Sequence, residues 1–321
     1  MNFIDYLVIF SYFAIILWIA KWASSNKGDS TFSSVDYFLA GRDQGWLVIG
    51  ASLFASNIGS EIILGVSGAG ARASMPMANF EIIAALILIL LGWVFVPFYL
   101  RTGVYTMPEF LEKRYSSACR NYLSVVSILA YVITKISLII FAGALVFEVL
   151  GIPFWTGAVL TVVATGFYTV LGGLKAVIYT DMLQAVVLII GTAIISIFGL
   201  YQLGGWSEMI STISLASLTE GNPPVDQFFN LWRPTEDTEY PWTGMLFGAP
   251  ILGIWYWCTD QFIVQRVLSA KDINNARKGA LFAGYLKLLP VFLFFIPGVI
   301  AYALMQKGMI SYSMDNADSA L

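Results

Sequence analysis

Five ionisable side chains fall inside apolar stretches of this chain: Glu61, Glu81, Lys135, Asp260 and Lys287. A charge at that depth is costly and marks a functional candidate by default. Lys135 also reads well as half of a structural ion pair or as a side chain snorkelling to the interface. Lys287 is open between a binding role and snorkelling. A second group is the string WYWCTDQ, residues 255–261. In a regular helix a spacing of four sets Tyr256 and Asp260 on one face, and Trp257 and Gln261 on its neighbour. Rings beside polar groups suit a sugar, whose C–H faces are apolar and whose hydroxyls need partners. Trp255 alone reads better as an interfacial anchor.

A third group lies in residues 45–71. This stretch is long and apolar enough to cross a bilayer, which takes ~20 residues. Ser52, Ser56, Asn57, Gly59, Ser60 and Glu61 interrupt it. Such groups are expensive against lipid, so protein or water must line the span. A helix broken there exposes carbonyls and half-helix ends that can coordinate a cation or a substrate. The alternative is tight helix packing through small residues, which the glycines after Glu61 suit.

The elements that carry these residues follow from composition. The chain is 58% hydrophobic and 12% charged, with a mean hydropathy of +0.77. A soluble domain carries about 25% charge. A net charge of −3 points to no nucleic-acid partner. Cys119 and Cys258 fall in different segments and suggest neither a disulfide framework nor a metal site. There is no histidine, which removes the commonest metal ligand and general base. No nucleophile–base set takes its place, so the chain reads as no enzyme.

Eight apolar spans are predicted, near residues 4–22, 45–71, 78–100, 123–150, 153–171, 176–200, 242–264 and 280–304. All are helices, because lipid leaves only helices or closed barrels. The first span lacks the basic start of a signal peptide and reads as retained. The longest polar stretch, 204–241, holds a short surface helix at 206–218. With eight spans, Arg72, Arg233 and Lys307 fall on one side of the membrane. Twelve basic residues fall on the other, and Lys135 and Lys287 lie within spans, which accounts for all seventeen. The positive-inside rule then places both termini and the 204–241 loop outside. Glu148, at a span end, reads as interfacial, and Asp181, one turn into the sixth span, as reached by cytoplasmic water.

At these residues the chain resembles the sodium:solute symporter family, in its sodium/glucose cotransporter branch. The strings are GASLFASNIGS (50–60), GVYTMPE (103–109), GGLKAVIYTD (172–181), WYWCTDQ (255–261), IVQR (263–266) and YLK (285–287). The resemblance implies an all-α integral membrane protein with the inverted-repeat, LeuT-like transporter fold. An extra amino-terminal helix and cytoplasmic loop (1–44) precede a full first repeat (45–202). An outer loop (203–241), the start of a second repeat (242–305) and a truncated loop (306–321) follow. Family members have around fourteen helices, so the chain is expected to be an amino-terminal part, lacking the third to fifth helices of the second repeat.

The resemblance also implies roles. Backbone carbonyls of Ala55 and Ile58 would hold sodium, in a site incomplete in this chain. Asn57, Phe80, Glu81, Tyr256, Trp257 and Lys287 would contact the solute. Tyr256 would form an inner gate beneath the sugar ring, and Glu81 and Lys287 would hold hydroxyls by charge-assisted hydrogen bonds. Asp181 matches an acidic residue linked to a second cation or to coupling. Ile62, Gly253 and Ala84 stand where sugar-transporting relatives carry polar residues. Glu61 replaces a glycine of animal relatives. Each lost hydroxyl partner costs about 1 kcal/mol when buried, so another sugar, a polyol such as inositol, or a smaller solute fits as well as glucose.

The expected activity is sodium-driven symport of a sugar or related polar solute across the plasma membrane, by alternating access. The rivals are a symporter for amino acids or osmolytes, whose carboxylate Glu81 would repel, and a non-transporting sensor or scaffold. A membrane enzyme ranks last.

Overall fold

The computed structural model describes residues 3–25 and 34–311. Lys27 and Asp29 of the first polar loop, and residues 312–321 of the expected truncated loop, lie outside the described residues. Among the described residues there is no strand, only two isolated bridges.

The elements follow the apolar runs. Helix α1 is Phe3–Ser25, and α2 is the short Ser34–Leu39. The stretch 45–71 breaks as its polar middle predicts. Helix α3, Trp46–Asn57, and α4, Ser60–Ala71, meet at 65°. Helix α5 is Met75–Thr102, α6 is Met107–Arg114, α7 is Ser117–Glu148 and α8 is Phe154–Leu203. The surface helix of the outer loop is α9, Trp206–Ala216. Helix α10 covers 244–259, α11 is Gln261–Leu268 and α12 is Ile273–Gln306. By length and composition α5, α7, α8 and α12 can each cross a membrane, as can the bent α3–α4 pair.

Two of the predicted spans share one helical run. Helix α8 has 50 residues, about 75 Å at 1.5 Å per residue, against a hydrocarbon core of about 30 Å. The backbone leaves helical geometry at Gly173, with φ 61° and ψ −160°. This point falls between the predicted spans 153–171 and 176–200. Only glycine adopts that φ cheaply, and a Cβ there would sit 2.8 Å from the carbonyl oxygen of Tyr37. The predicted span 242–264 is also not one helix. It is broken at Asp260, whose φ of −70° and ψ of 127° are extended.

Among the described residues five π turns interrupt the helices, at Leu91–Phe95, Tyr131–Ile136, Gly244–Gly248, Trp255–Thr259 and Val291–Phe295. Three have a local cause. Pro97, Pro250 and Pro297 each stand two residues beyond a π turn. Proline offers no N–H and crowds the carbonyl four residues back. The residue before it instead bonds five back: Val96 to Leu91, Ala249 to Gly244, Ile296 to Val291. The other two, around Tyr131–Lys135 and Tyr256–Trp257, have no proline nearby. Helix α12 loosens at 287–288 as well, where Pro290 cannot donate to the carbonyl of Leu286.

The chain divides into two compact units. Unit one comprises Met1–Glu61, Leu90–Gln184 and Thr259–Phe282; unit two comprises Ile62–Ile89, Ala185–Cys258 and Ala283–Leu321. In unit one, Trp46 of α3 packs edge-on to Phe282 of α12, with ring centroids 5.3 Å apart. In unit two, α4 and α12 touch backbone to backbone. A Cβ built on Gly298 would lie 2.8 Å from the carbonyl carbon of Ser67 and 3.0 Å from the nitrogen of Ala71. Burial separates core from periphery: 61% of the most apolar stretch of α12 is buried, against 6% for α7.

Candidate functional site

In unit two, three predicted residues come together. Glu81, on the first turns of α5, and Lys287, at the loosened turn of α12, form an ion pair. Both are buried, Lys287 to 1% exposure. The snorkelling reading of Lys287 therefore fails: the ammonium is held inside by the carboxylate. Trp257 adds its ring face, with the Lys287 nitrogen 5.6 Å from its centroid, an attraction of the ring quadrupole for the cation. Tyr256 is half-buried and packs edge-on to Trp257 at 5.1 Å. The expected sharing of faces at spacings of four does not hold here. The π turn at Trp255–Thr259 changes the angular step, and Asp260 has left the helix. Phe80 is exposed and lines a cavity of about 470 Å³ with Tyr240, Met245 and Leu252.

Gly253 and Ala84 were expected to leave polar contacts unfilled. A side chain on Gly253 would collide with Ile87 of α5, which is itself buried. The Cys258 thiol lies 3.9 Å from the carbonyl oxygen of Ile87. Aliphatic packing thus occupies that space.

In unit one, the break between α3 and α4 holds Ala55, Asn57 and Ile58. The Ile58 N–H donates to the Ala55 carbonyl at 3.0 Å, and Ile58 is non-helical with φ −105° and ψ 87°. A carbonyl oxygen has two lone pairs, so this bond leaves one on Ala55 for a cation. Asn57 lies in the same turn of unit one, and the other five predicted solute contacts belong to unit two.

Asp181 is buried in unit one and does not face solvent as expected. The Ser52 hydroxyl donates to its Oδ2 at 2.6 Å, and the Arg266 guanidinium donates to the same oxygen at 3.2 Å. Arg266 Nε also donates to Ser52 Oγ at 3.0 Å. The Ser56 hydroxyl lies 2.9 Å from Asp181 Oδ2 and 2.6 Å from the carbonyl oxygen of Ser52. Three helices, α3, α8 and α11, are joined through one carboxylate. Arg266 was counted from sequence as a cytoplasmic loop charge; it is 4% exposed.

Asp260 is a second buried carboxylate of unit one. It caps α11 by accepting the Phe262 N–H at 3.0 Å, and it also receives the Tyr131 hydroxyl and the Lys135 ammonium. Lys135 sits over the rings of Tyr131, at 4.8 Å, and Phe262, at 5.1 Å. The ion-pair reading of Lys135 holds. Tyr131, Ser52 and Arg266 were not singled out as partners. The available signals were the spacings of four between Tyr131 and Lys135 and between Ser52 and Ser56, which put each pair on one helix face.

Comparison with known proteins places these residues in context. The model of the sodium:solute symporter family matches residues 37–317. The chain is 41% identical over 319 residues to sodium/glucose cotransporter 1 of Ovis aries, covering 95% of this chain and 48% of that protein. It is 41% identical over 314 residues to the sodium/myo-inositol cotransporter of Homo sapiens, covering 92% and 44%. The chain spans about half the length of these relatives. A solved structure of a Na+-coupled sialic acid symporter, substrate-bound and outward-open, shares the fold. Its TM-score is 0.85 at 23% identity, over 98% of this chain and 64% of that one.

Proposed function

The chain belongs to the sodium:solute symporter family, and we propose that it serves sodium-coupled symport of a sugar or related polyol by alternating access. The observation that carries this reading is the buried Glu81–Lys287 pair beneath the Trp257 ring. A carboxylate and an ammonium side by side offer acceptors and donors to neighbouring hydroxyls, and charged hydrogen bonds are the strong ones. The aromatic faces of Tyr256, Trp257 and Phe80 suit the C–H faces of the ring. The relatives named above, glucose and myo-inositol cotransporters, are named for solutes of this class. An amino-acid solute would bring a carboxylate toward Glu81, which disfavours it.

In this reading sodium binds at the helix break, on the carbonyls of Ala55 and Ile58, and favours the state that takes solute from outside. Coupling is then the differential affinity of sodium for two states. The membrane potential adds ~2.3 kcal/mol per charge per 100 mV. Asp181 links sodium to the helices it joins, and Asn57 is a further solute contact. The architecture is the inverted repeat, with residues 45–202 as the first repeat, 242–305 opening the second and the 203–241 loop outside. Eight spans place the amino terminus outside the plasma membrane. The division of α8 at Gly173 into segments of membrane-spanning length supports this count.

The test is uptake into proteoliposomes by the full reading frame, with labelled glucose, myo-inositol and proline, with and without an inward sodium gradient. Sodium-dependent accumulation of a sugar or polyol, lost in Tyr256→Ala, is expected. Proline accumulating faster than any sugar, or uptake indifferent to sodium, would overturn the proposal.

A further inference from the structure

Unit two contains a larger cavity that none of the roles above uses. It is an open cleft of about 1090 Å³, walled by the end of α4, the turn into α5 and the segment after α9. Its polar lining comes from Arg72, Asn222, Gln227, Glu239 and Tyr240. Met77 and Pro223 add apolar faces. The wall is fastened in place. Arg233 donates to the carbonyl oxygens of Ala73, at 2.9 Å, and Gln227, at 3.2 Å. The buried Asn79 amide donates to the Leu231 carbonyl at 2.7 Å. Asp237 accepts the backbone N–H groups of Tyr240, at 2.8 Å, and Glu239, at 3.0 Å. These bonds hold its carboxyl below the usual aspartate range, the Tyr240 N–H most of all.

Two features set the chemistry of the cleft. Its lining carries one cation, Arg72, and one anion, Glu239, so it is electrically balanced. Arg72 is close enough to Tyr240 to oppose the upward push that burial and Glu239 give the phenol. Balanced charge with two amides, a phenol and apolar patches offers many hydrogen bonds to a neutral molecule and no net attraction to an ion. The cleft is also adjacent to the smaller cavity that Phe80 lines, because Glu239 and Tyr240 border both. A cleft of this size can hold a small ring and its water, since ligand pockets run from about 300 to 1,000 Å³.

We infer that this cleft is a second solute site, which receives a neutral polyhydroxylated ring and passes it across the Glu239–Tyr240 wall toward Phe80. The inference rests on the sugar or polyol reading above for its ligand class, and it adds a site with its own residues.

Cysteine protection tests it at the low affinity expected of an open site. Gln227→Cys is placed in the Cys119→Ser background; Cys258 is buried and out of reach of a charged reagent. Glu236→Cys, exposed on the same loop and outside both cavities, is the control. Labelling by an anionic methanethiosulfonate is timed with glucose or myo-inositol, against betaine at equal osmolality. At a concentration of about twice the dissociation constant, labelling of the Gln227→Cys protein should slow about threefold, with the Glu236→Cys control unchanged. The slowing should persist when Glu81→Gln and Lys287→Met remove the charged pair, and vanish with Arg72→Gln and Glu239→Gln. No slowing in the Gln227→Cys protein would overturn the cleft site while leaving the charged-pair site to be judged by uptake. Slowing that disappears with the Glu81→Gln and Lys287→Met substitutions would also overturn it, by tracing the protection to the other site.

Discussion

Unit one and unit two both bury carboxylates, and they treat them differently. Asp181 is met by the Ser52 and Ser56 hydroxyls and the Arg266 guanidinium. Asp260 is met by a phenol, an ammonium and a backbone N–H. Glu81 is given one partner among the described residues, Lys287. An ionised carboxylate can accept about four hydrogen bonds. Each unit-one group has three partners, those of Asp181 gathered on Oδ2, which suits joints that hold helices in one arrangement. Glu81 keeps acceptor capacity in reserve, which suits a group waiting for the hydroxyls of a solute. Charge and burial are alike in the two units; the number of partners separates a joint from a binding group.

The largest expected effect comes from breaking the unit-two pair on one side. Lys287→Met leaves Glu81 buried without its counter-charge, a loss of about 3–5 kcal/mol. Thermal unfolding of the purified protein should show a large fall in melting temperature. Removing both charges, with Glu81→Gln and Lys287→Met, should restore most of it.

In unit one, Arg266→Gln should cost less, about 2–3 kcal/mol, because the two serine hydroxyls remain on Asp181. Its signature should be weakened sodium dependence of uptake with solute affinity kept. A change in solute affinity alone would place Asp181 and Arg266 on the wrong side of the comparison. Tyr131→Phe removes one charged hydrogen bond from a carboxylate that keeps two others, so about 1.5 kcal/mol is expected in a denaturant titration.

The smallest effect is at the surface. Lys307 pairs with Glu208 at 2.8 Å. The hydrogen bond from Lys307, and then its charge, hold the Glu208 carboxyl below its ordinary 4.5. A depressed carboxyl stabilises the fold above its unfolded value, and the gain is lost as pH falls through the folded one. Melting temperature should therefore drop slightly more below pH 4.5 in the parent than in Glu208→Gln, and salt should shrink the difference.

Much of this was legible in the sequence. The polar run from Ser56 to Glu61 located the helix break, since no continuous helix in lipid hides such groups. The depth of Glu81 and Lys287 marked them as candidates, and the period of their helices did not say they would meet; that needed α5 and α12 side by side. Two readings failed for physical reasons. The shared face of Tyr256 and Asp260 presumes a regular helix, and a π turn followed by an extended residue removes that premise. Arg266 falls two residues beyond the predicted span 242–264 and so reads as a loop charge, and its partner Asp181 is 85 residues away in the chain. Removing it from the count leaves eleven basic residues against three, and the inferred orientation is unchanged.

The most direct test of the central claim is equilibrium binding of labelled myo-inositol and glucose to the purified chain, comparing the parent with the doubly neutral Glu81→Gln, Lys287→Met variant. The account predicts that the variant keeps a melting temperature near the parent's while the affinity of the charged-pair site falls by tenfold or more, about 1.4 kcal/mol. Unchanged affinity in a folded variant would show that the pair is another joint, like Asp181 and Arg266, and would remove the basis for the proposed solute site.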